Sequence, residues 1–579
     1  MLFTTKSRTD KPAPELDSSQ FGHFGNLTRP YKDAERKDLD RERYLQTLTN
    51  FQRAPVRLLE EAVRIQANLN RLKMKPEKRE QLTLAVLGQI YPVVAMWYEK
   101  FQAEQSSLPE SNERRNALEA SIKAVEQVAI SYKLLFHADY SATPSAFARH
   151  QQSLYARGLR IIELLRLIQR LKALRYQKMS KTDWLDVNQV FFSMLLHNAV
   201  HGQLELLGTV GVRSRQEKSE RSNAPKGSMQ EIYLSIQLFG LLETNSWPTG
   251  MLYVPDAYLA SLGEESFQIK ADNRAPLQPG TLVTYLHSNG PPQFERREDI
   301  GGPSILIDYT GLYNALVREH ETIGKMKFLG NYDVRKLNKP LQAVKEEERL
   351  PVLESMLLAL RQRTRQQKRH RVHTYDALRV YFGREEVMRL LRDISSRDLQ
   401  KIMDSRQFVD KLARQSSLLA EDDRSHMVTQ WAMINFSSGG LLIGTEETAF
   451  STPIKIGQLV AFGPVDAELH RVTLGYINRL HRTDDHRVEV AIVRLSTHAE
   501  AVVIQNEQDL QEKSGHAAIL VKDLDNQWKL IVSPGLQVKS GDPLKLIRND
   551  GTRLPVRLGE VWLVKKEFTQ YELRSPGLG

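Results

Sequence analysis

The sequence has no cysteine. That excludes disulfide staples, thiol nucleophiles, cysteine-ligated zinc and iron–sulfur clusters together. No apolar run approaches the roughly 20 residues that a membrane-crossing helix needs. The opening stretch MLFTTKSRTDKPAPE turns polar within a few residues and holds no apolar segment suited to export, so a cytoplasmic chain without a membrane span is expected. Also missing are a G-x-S-x-G elbow, a P-loop and a G-x-G-x-x-G that opens a helix. With no catalytic constellation in sight, the expectation is a non-enzymatic protein with no metal and no cofactor.

What is present is ordinary for a globular protein. The apolar fraction is 41% and the charged fraction 26%, which excludes a fibrous or mostly unstructured chain. The length of 579 residues is too great for one core and implies three to five domains. Lys and Arg number 81 against 70 Asp and Glu, a surplus that favours polyanionic partners but is mild at this length. Where the charge gathers matters more than its total.

The hydrophobic pattern divides the chain. Residues 1–40 read as a loose tail. Residues 41–212 read as an α-helical bundle or solenoid. One helix starts near Pro55, with Leu58, Leu59, Ala62, Val63, Ile65, Leu69 and Leu72 on one broad face, and another opens at Ser180 with Asp183 three residues on, a capping-box spacing. Residues 213–228 are a polar linker. Residues 229–340 read as a mixed, mainly β domain, with strands expected at 231–242, 250–255, 281–288 and 304–309. A degenerate second barrel is open there. Residues 341–371 form a helix and a basic linker. Residues 372–506 read as an antiparallel β-barrel with a helical insertion at 384–421. Residues 507–579 read as a small β domain with a hairpin turn at Asn549-Asp550-Gly551. The fold class is therefore multidomain α+β.

The densest chemistry lies just before the barrel. Arg361, Arg363, Arg365, Lys368, Arg369 and Arg371 fall within eleven residues with no acid among them. Such a run repels itself unless an anion meets it, although a solvated helix end is the bland alternative. Downstream, Asn435-Phe436-Ser437-Ser438-Gly439-Gly440 follows the strand WAMI and precedes the apolar LLI. IGQLVAF, a strand with Gly475 and VEVAIVRLS complete the frame. Over about residues 361–506 this resembles the PilZ domain, the bacterial cyclic di-GMP receptor module. That family carries an R-x-x-x-R before its first strand and a [D/N]-x-S-x-x-G turn later. Arg365 and Arg369 satisfy the first motif, as do Arg361 and Arg365. Counting back four from Arg371, which leads into the strand, gives Gln367, a departure; the helical insertion is a second.

The resemblance implies a cyclic di-GMP site made of Arg365, Arg369, Arg371, Asn435, Ser437 and Gly440. The chemistry suits it. The planar fork of arginine pairs bidentately with phosphate or with guanine O6 and N7, and its flat face stacks on a base. Asn435 and Ser437 offer short polar contacts, and Gly440 lets backbone approach closely. An ordinary β-turn is the alternative for that hexapeptide.

Two functions compete. One is a signalling effector that senses cyclic di-GMP and relays it to an unidentified protein partner through the helical domain. The other is a scaffold or chaperone-like interaction protein keeping the fold without nucleotide. Nucleic-acid binding through the basic run is disfavoured, because only Tyr375 and Tyr381 stand nearby for stacking. His197 and His201 have zinc-protease spacing, but Asn198 stands where the catalytic Glu is required, so they read as structural. His481, Asp484, Asp485 and His486 read as a hairpin tip rather than a metal site.

Overall fold

The computed structural model describes residues 41–104, 107–140, 143–207, 226–247, 249–261, 267–272, 276–297, 302–329, 333–342, 344–361, 370–371, 377–404, 429–437, 439–465, 472–506, 515–536 and 538–574. The expected tail at 1–40 and most of the linker at 213–228 lie outside them. The chain forms two compact units. One comprises residues 1–106 and 111–364, the other residues 107–110 and 365–579.

The first unit opens with helices α1 (Arg41–Asn50), α2 (Pro55–Arg71), α3 (Pro76–Ala103), α4 (Asn112–Asp139), α5 (Pro144–Ala173) and α6 (Lys181–Leu195). Their starts are chemically marked. Proline opens α2, α3 and α5, where its missing N–H costs nothing. Ser180 and Asp183 form the reciprocal capping box expected for α6. The short strands β1 (Leu204–Glu205) and β2 (Lys226–Gly227) pair, followed by α7 (Met229–Leu241) and α8 (Tyr253–Ser261). A three-stranded antiparallel sheet of β3 (Gln268–Ala271), β4 (Thr281–Tyr285) and β5 (Ser304–Asp308) has β5 at its centre. Helices α9 (Thr310–Leu329), α10 (Lys339–Gln342) and α11 (Glu346–Ala359) complete the unit. One apolar core runs from Leu48 to Leu360.

The strands expected at 231–242 and 250–255 are helical. Residues 231–241 belong to α7, because Ser228 and Glu231 cap its first turn reciprocally. Its side chains are buried on nearly every face, so the run lacks the one-sided pattern that betrays a surface helix. Residues 253–255 open α8, with Pro255 tolerated in the first turn. The sheet expected at 281–288 and 304–309 is present. Among the described residues, 229–340 hold three sheet strands among helices and no second barrel at this position.

The second unit contains two closed six-stranded antiparallel barrels. The first is built from β7 (Ala377–Phe382), β8 (Thr429–Ser437), β9 (Gly440–Glu446), β10 (Leu459–Pro464), β11 (Thr473–Arg482) and β12 (Arg487–Ser496), with β6 (His370–Arg371) added along β8. Alternate residues point inward, such as Leu378, Val380 and Phe382 on β7 and Val488, Val490 and Ile492 on β12. Trp431 fills the interior between Phe382 and Phe450. Helix α12 (Arg384–Asp404) is the described part of the expected insertion. The second barrel comprises β13 (His498–Asn506), β14 (His516–Lys522), β15 (Trp528–Val532), β16 (Pro543–Ile547), β17 (Arg553–Val564) and β18 (Thr569–Arg574). The strand at 501–505, expected in the first barrel, belongs to this second one, since β13 pairs with β14 and β16. Val387, Met388, Leu390 and Leu391 of α12 share a core with the outer faces of both barrels.

Candidate functional site

The first barrel begins with an interrupted strand. Both β6 and β7 lie along the same side of β8. Residues 377–380 pair with 429–432, while His370 faces Phe436 and Arg371 faces Asn435. The last residue of the arginine-rich segment is thus in register opposite the first residue of the Asn-Phe-Ser-Ser-Gly-Gly motif. Along its other side β8 pairs with β9, and its register shifts between Met433 and Asn435. Such a bulge twists the strand end and re-aims the residues beyond it.

The motif itself closes the β8–β9 hairpin. Ser437 faces Gly440, and its hydroxyl donates to the Gly440 carbonyl at 3.3 Å. The Arg494 backbone N–H donates to the Gly439 carbonyl at 2.9 Å and ties the turn to β12. A Cβ on Gly440 would collide with the Ile492 carbonyl oxygen, while one on Gly475 would lie 2.6 Å from the Val493 oxygen. Two glycines therefore let β12 lie close between its neighbours. Asn435 and Ser437 are half-buried, and Phe436 is exposed at the barrel end. Arg365 and Arg369 lie outside the described residues; of the six candidates, Arg371, Asn435, Ser437 and Gly440 fall on adjoining strands.

Residues 46–266 match a family model described as the N-terminal domain of the cyclic di-GMP receptor FimW. The match supports a cyclic di-GMP receptor. It runs from α1 past α8, within the first unit except for residues 107–110, and leaves the barrels uncovered. No curated protein and no solved structure matches the chain. No helix among the described residues is long and apolar enough to cross a membrane.

Within the FimW-like region, His197 does not sit on a helix with His201. α6 ends at Leu195, and Asn198 adopts φ 51° in the turn that follows. The His197 ring stacks on Phe147 at 3.7 Å, and burial holds its pKa below the usual histidine value. In the barrel, Thr483–His486 form the β11–β12 turn, with His486 at φ 62°. His481 Nδ1 lies 3.2 Å from Glu489, across the hairpin rather than toward the tip aspartates. No cluster suited to a metal ion occurs among the described residues.

Sequence reasoning missed one buried constellation. Arg482 is 1% exposed and pairs through its two terminal nitrogens with Glu110 and Glu447, each at 2.6 Å. Nearby, Leu108 and Ile454 exchange backbone hydrogen bonds at 3.0 and 2.7 Å. No local pattern could have revealed it, because Glu110 and Arg482 are 372 residues apart.

Proposed function

We propose that this protein is a non-enzymatic effector that binds cyclic di-GMP on the wall of its first barrel in the manner of a PilZ domain and relays that binding to a protein partner through its helical domain. The observation that carries this reading is the register of Arg371 opposite Asn435. It sets the backbone of Arg371 beside the strand that leads into the polar hairpin. In this reading Arg365, Arg369 and Arg371 hold the phosphates and guanine edges. Asn435 and Ser437 contact the base, and Gly440 keeps the hairpin tight against β12. The FimW-family match over residues 46–266 supports the same ligand from a separate part of the chain. Relay requires that the nucleotide bind two arrangements of the protein with different affinity, since tight binding to both shifts nothing.

Titration calorimetry of the full chain with cyclic di-GMP is the test. Binding is expected in the micromolar range or tighter. Removal of one charge-assisted hydrogen bond costs about 1.5–3 kcal/mol and of a neutral one about 0.5–1.5 kcal/mol, so Arg371→Ala should weaken binding about tenfold or more and Asn435→Ala about two- to tenfold. Absence of heat from the wild-type protein at tens of micromolar would instead favour a nucleotide-free scaffold.

A further inference from the structure

The second barrel carries a surface that the nucleotide reading does not use. Nine large apolar side chains are exposed among the described residues, and three of them lie within four positions of β17: Val561 at 47%, Trp562 at 60% and Val564 at 63%. The strand register shifts on both sides of Val561, so strict alternation fails and Glu560, Val561 and Trp562 are exposed in succession. Trp562 is also held in place. The Lys529 ammonium lies 3.4 Å from its ring centroid, and Lys529 is 2% exposed and paired with Asp523 at 2.8 Å. A buried, neutralised lysine beneath an exposed indole fixes the ring while leaving much of it open to solvent.

Cations flank this apolar group. Val556 and Leu558 point into the barrel core, so Arg553 and Arg557 stand on the outer face of β17. Arg557 is in direct register with Arg574 of β18, both exposed. Like charges directly opposed cost stability unless an anion lies across them. Lys545 stands opposite Pro555 on the neighbouring strand, and exposed Lys566 follows Val564. The acids nearby are Glu560, Glu572, Asp542, which precedes the Arg557 register partner Pro543, and half-buried Glu567, four against the five cations. Arg557 and Trp562 are about 16 Å apart along the strand, a span that a lipid surface covers easily.

We propose that this face of β17 and β18 is a peripheral docking surface for an anionic lipid bilayer. Trp562, Val561 and Val564 would enter the interfacial zone, where indole rings partition favourably. Arg553, Arg557, Arg574, Lys545 and Lys566 would meet lipid phosphates. A single-stranded nucleic acid fits less well: it would use the indole but leave the two valines idle. The proposal rests on the second barrel alone and is independent of nucleotide binding.

The test is co-sedimentation of the full chain with vesicles of phosphatidylcholine alone or mixed with phosphatidylserine. Pelleting is expected only with the mixed vesicles and should weaken as salt rises. Trp562→Ala should reduce partitioning about tenfold, and Arg557→Glu/Arg574→Glu by at least about fivefold for each cation removed. Unchanged circular dichroism and melting would show both variants folded. Failure of the wild type to pellet, or pelleting that both variants preserve, overturns the proposal. Self-association that rises with concentration, is lost in both variants and occurs without vesicle binding also overturns it, and gives the surface to a second copy of the chain.

Discussion

Gly440 shows how a single hydrogen can hold a hairpin together. The Ile492 carbonyl occupies the space a side chain would need, so Gly440→Ala must push β9 and β12 apart. Urea unfolding is expected to show a loss of about 2–4 kcal/mol in the second unit, and calorimetry weakened nucleotide binding. His197 is informative for a different reason. Its Nε2 is buried with no hydrogen-bond partner among the described residues, and burial lowers its pKa. The folded chain therefore takes up fewer protons than the unfolded chain just below about pH 6.5. Stability should fall as pH drops through that value and level off below the folded pKa. In chemical denaturation at a series of pH values, His197→Phe should give a shallower decline over about pH 7 to 5, with Phe147 still able to stack on the new ring. The glycine was legible as a motif member, but the carbonyl that makes it obligatory comes from a strand some fifty residues away. Of the two histidines expected as a buried or capping pair on one helix, His197 packs on Phe147, while His201 is exposed and neither lies on α6.

At the scale of elements, local chemistry was legible wherever it was written within a few residues. Ser180 and Asp183 announced α6, and the turn at residues 549–551, with Gly551 at φ 83°, announced β16–β17. Ser228 and Glu231 announce α7 by the same spacing, but the apolar run behind them reads equally as a strand. Burial on nearly all sides erases the period that separates the two. Ser228→Ala and Ser180→Ala should each cost the first unit about 1 kcal/mol in urea unfolding. If Ser228→Ala costs nothing, the capping box is not what commits this segment to a helix. The barrel was legible as a set of strands, but the membership of β13 was not. A strand between two barrels carries the same alternation whichever one it closes, and pairing with β14 and β16 decides it.

At the scale of the molecule, the Arg482 cluster is the feature that sequence could not announce. One guanidinium is shared by two carboxylates, and all three are buried. Truncation of one member of such a group leaves charge uncompensated in the interior. Arg482→Met should therefore destabilise the second unit by about 3–5 kcal/mol, while Arg482→Met/Glu110→Leu/Glu447→Leu should recover most of that loss. Two-probe urea denaturation should show the first unit's transition unmoved by the single change. Equal shifts in both transitions would mean that the units unfold as one.

The division of the chain has a consequence for its birth on the ribosome. Leu108 and Glu110 leave the exit tunnel early, yet Arg482 is synthesised 372 residues later. At a translation speed of about 5–20 residues per second, that gap lasts roughly 20–75 s. Throughout this interval the short stretch between α3 and α4 lacks its contact with Arg482, so completion of the first barrel reaches back to a segment made near the beginning.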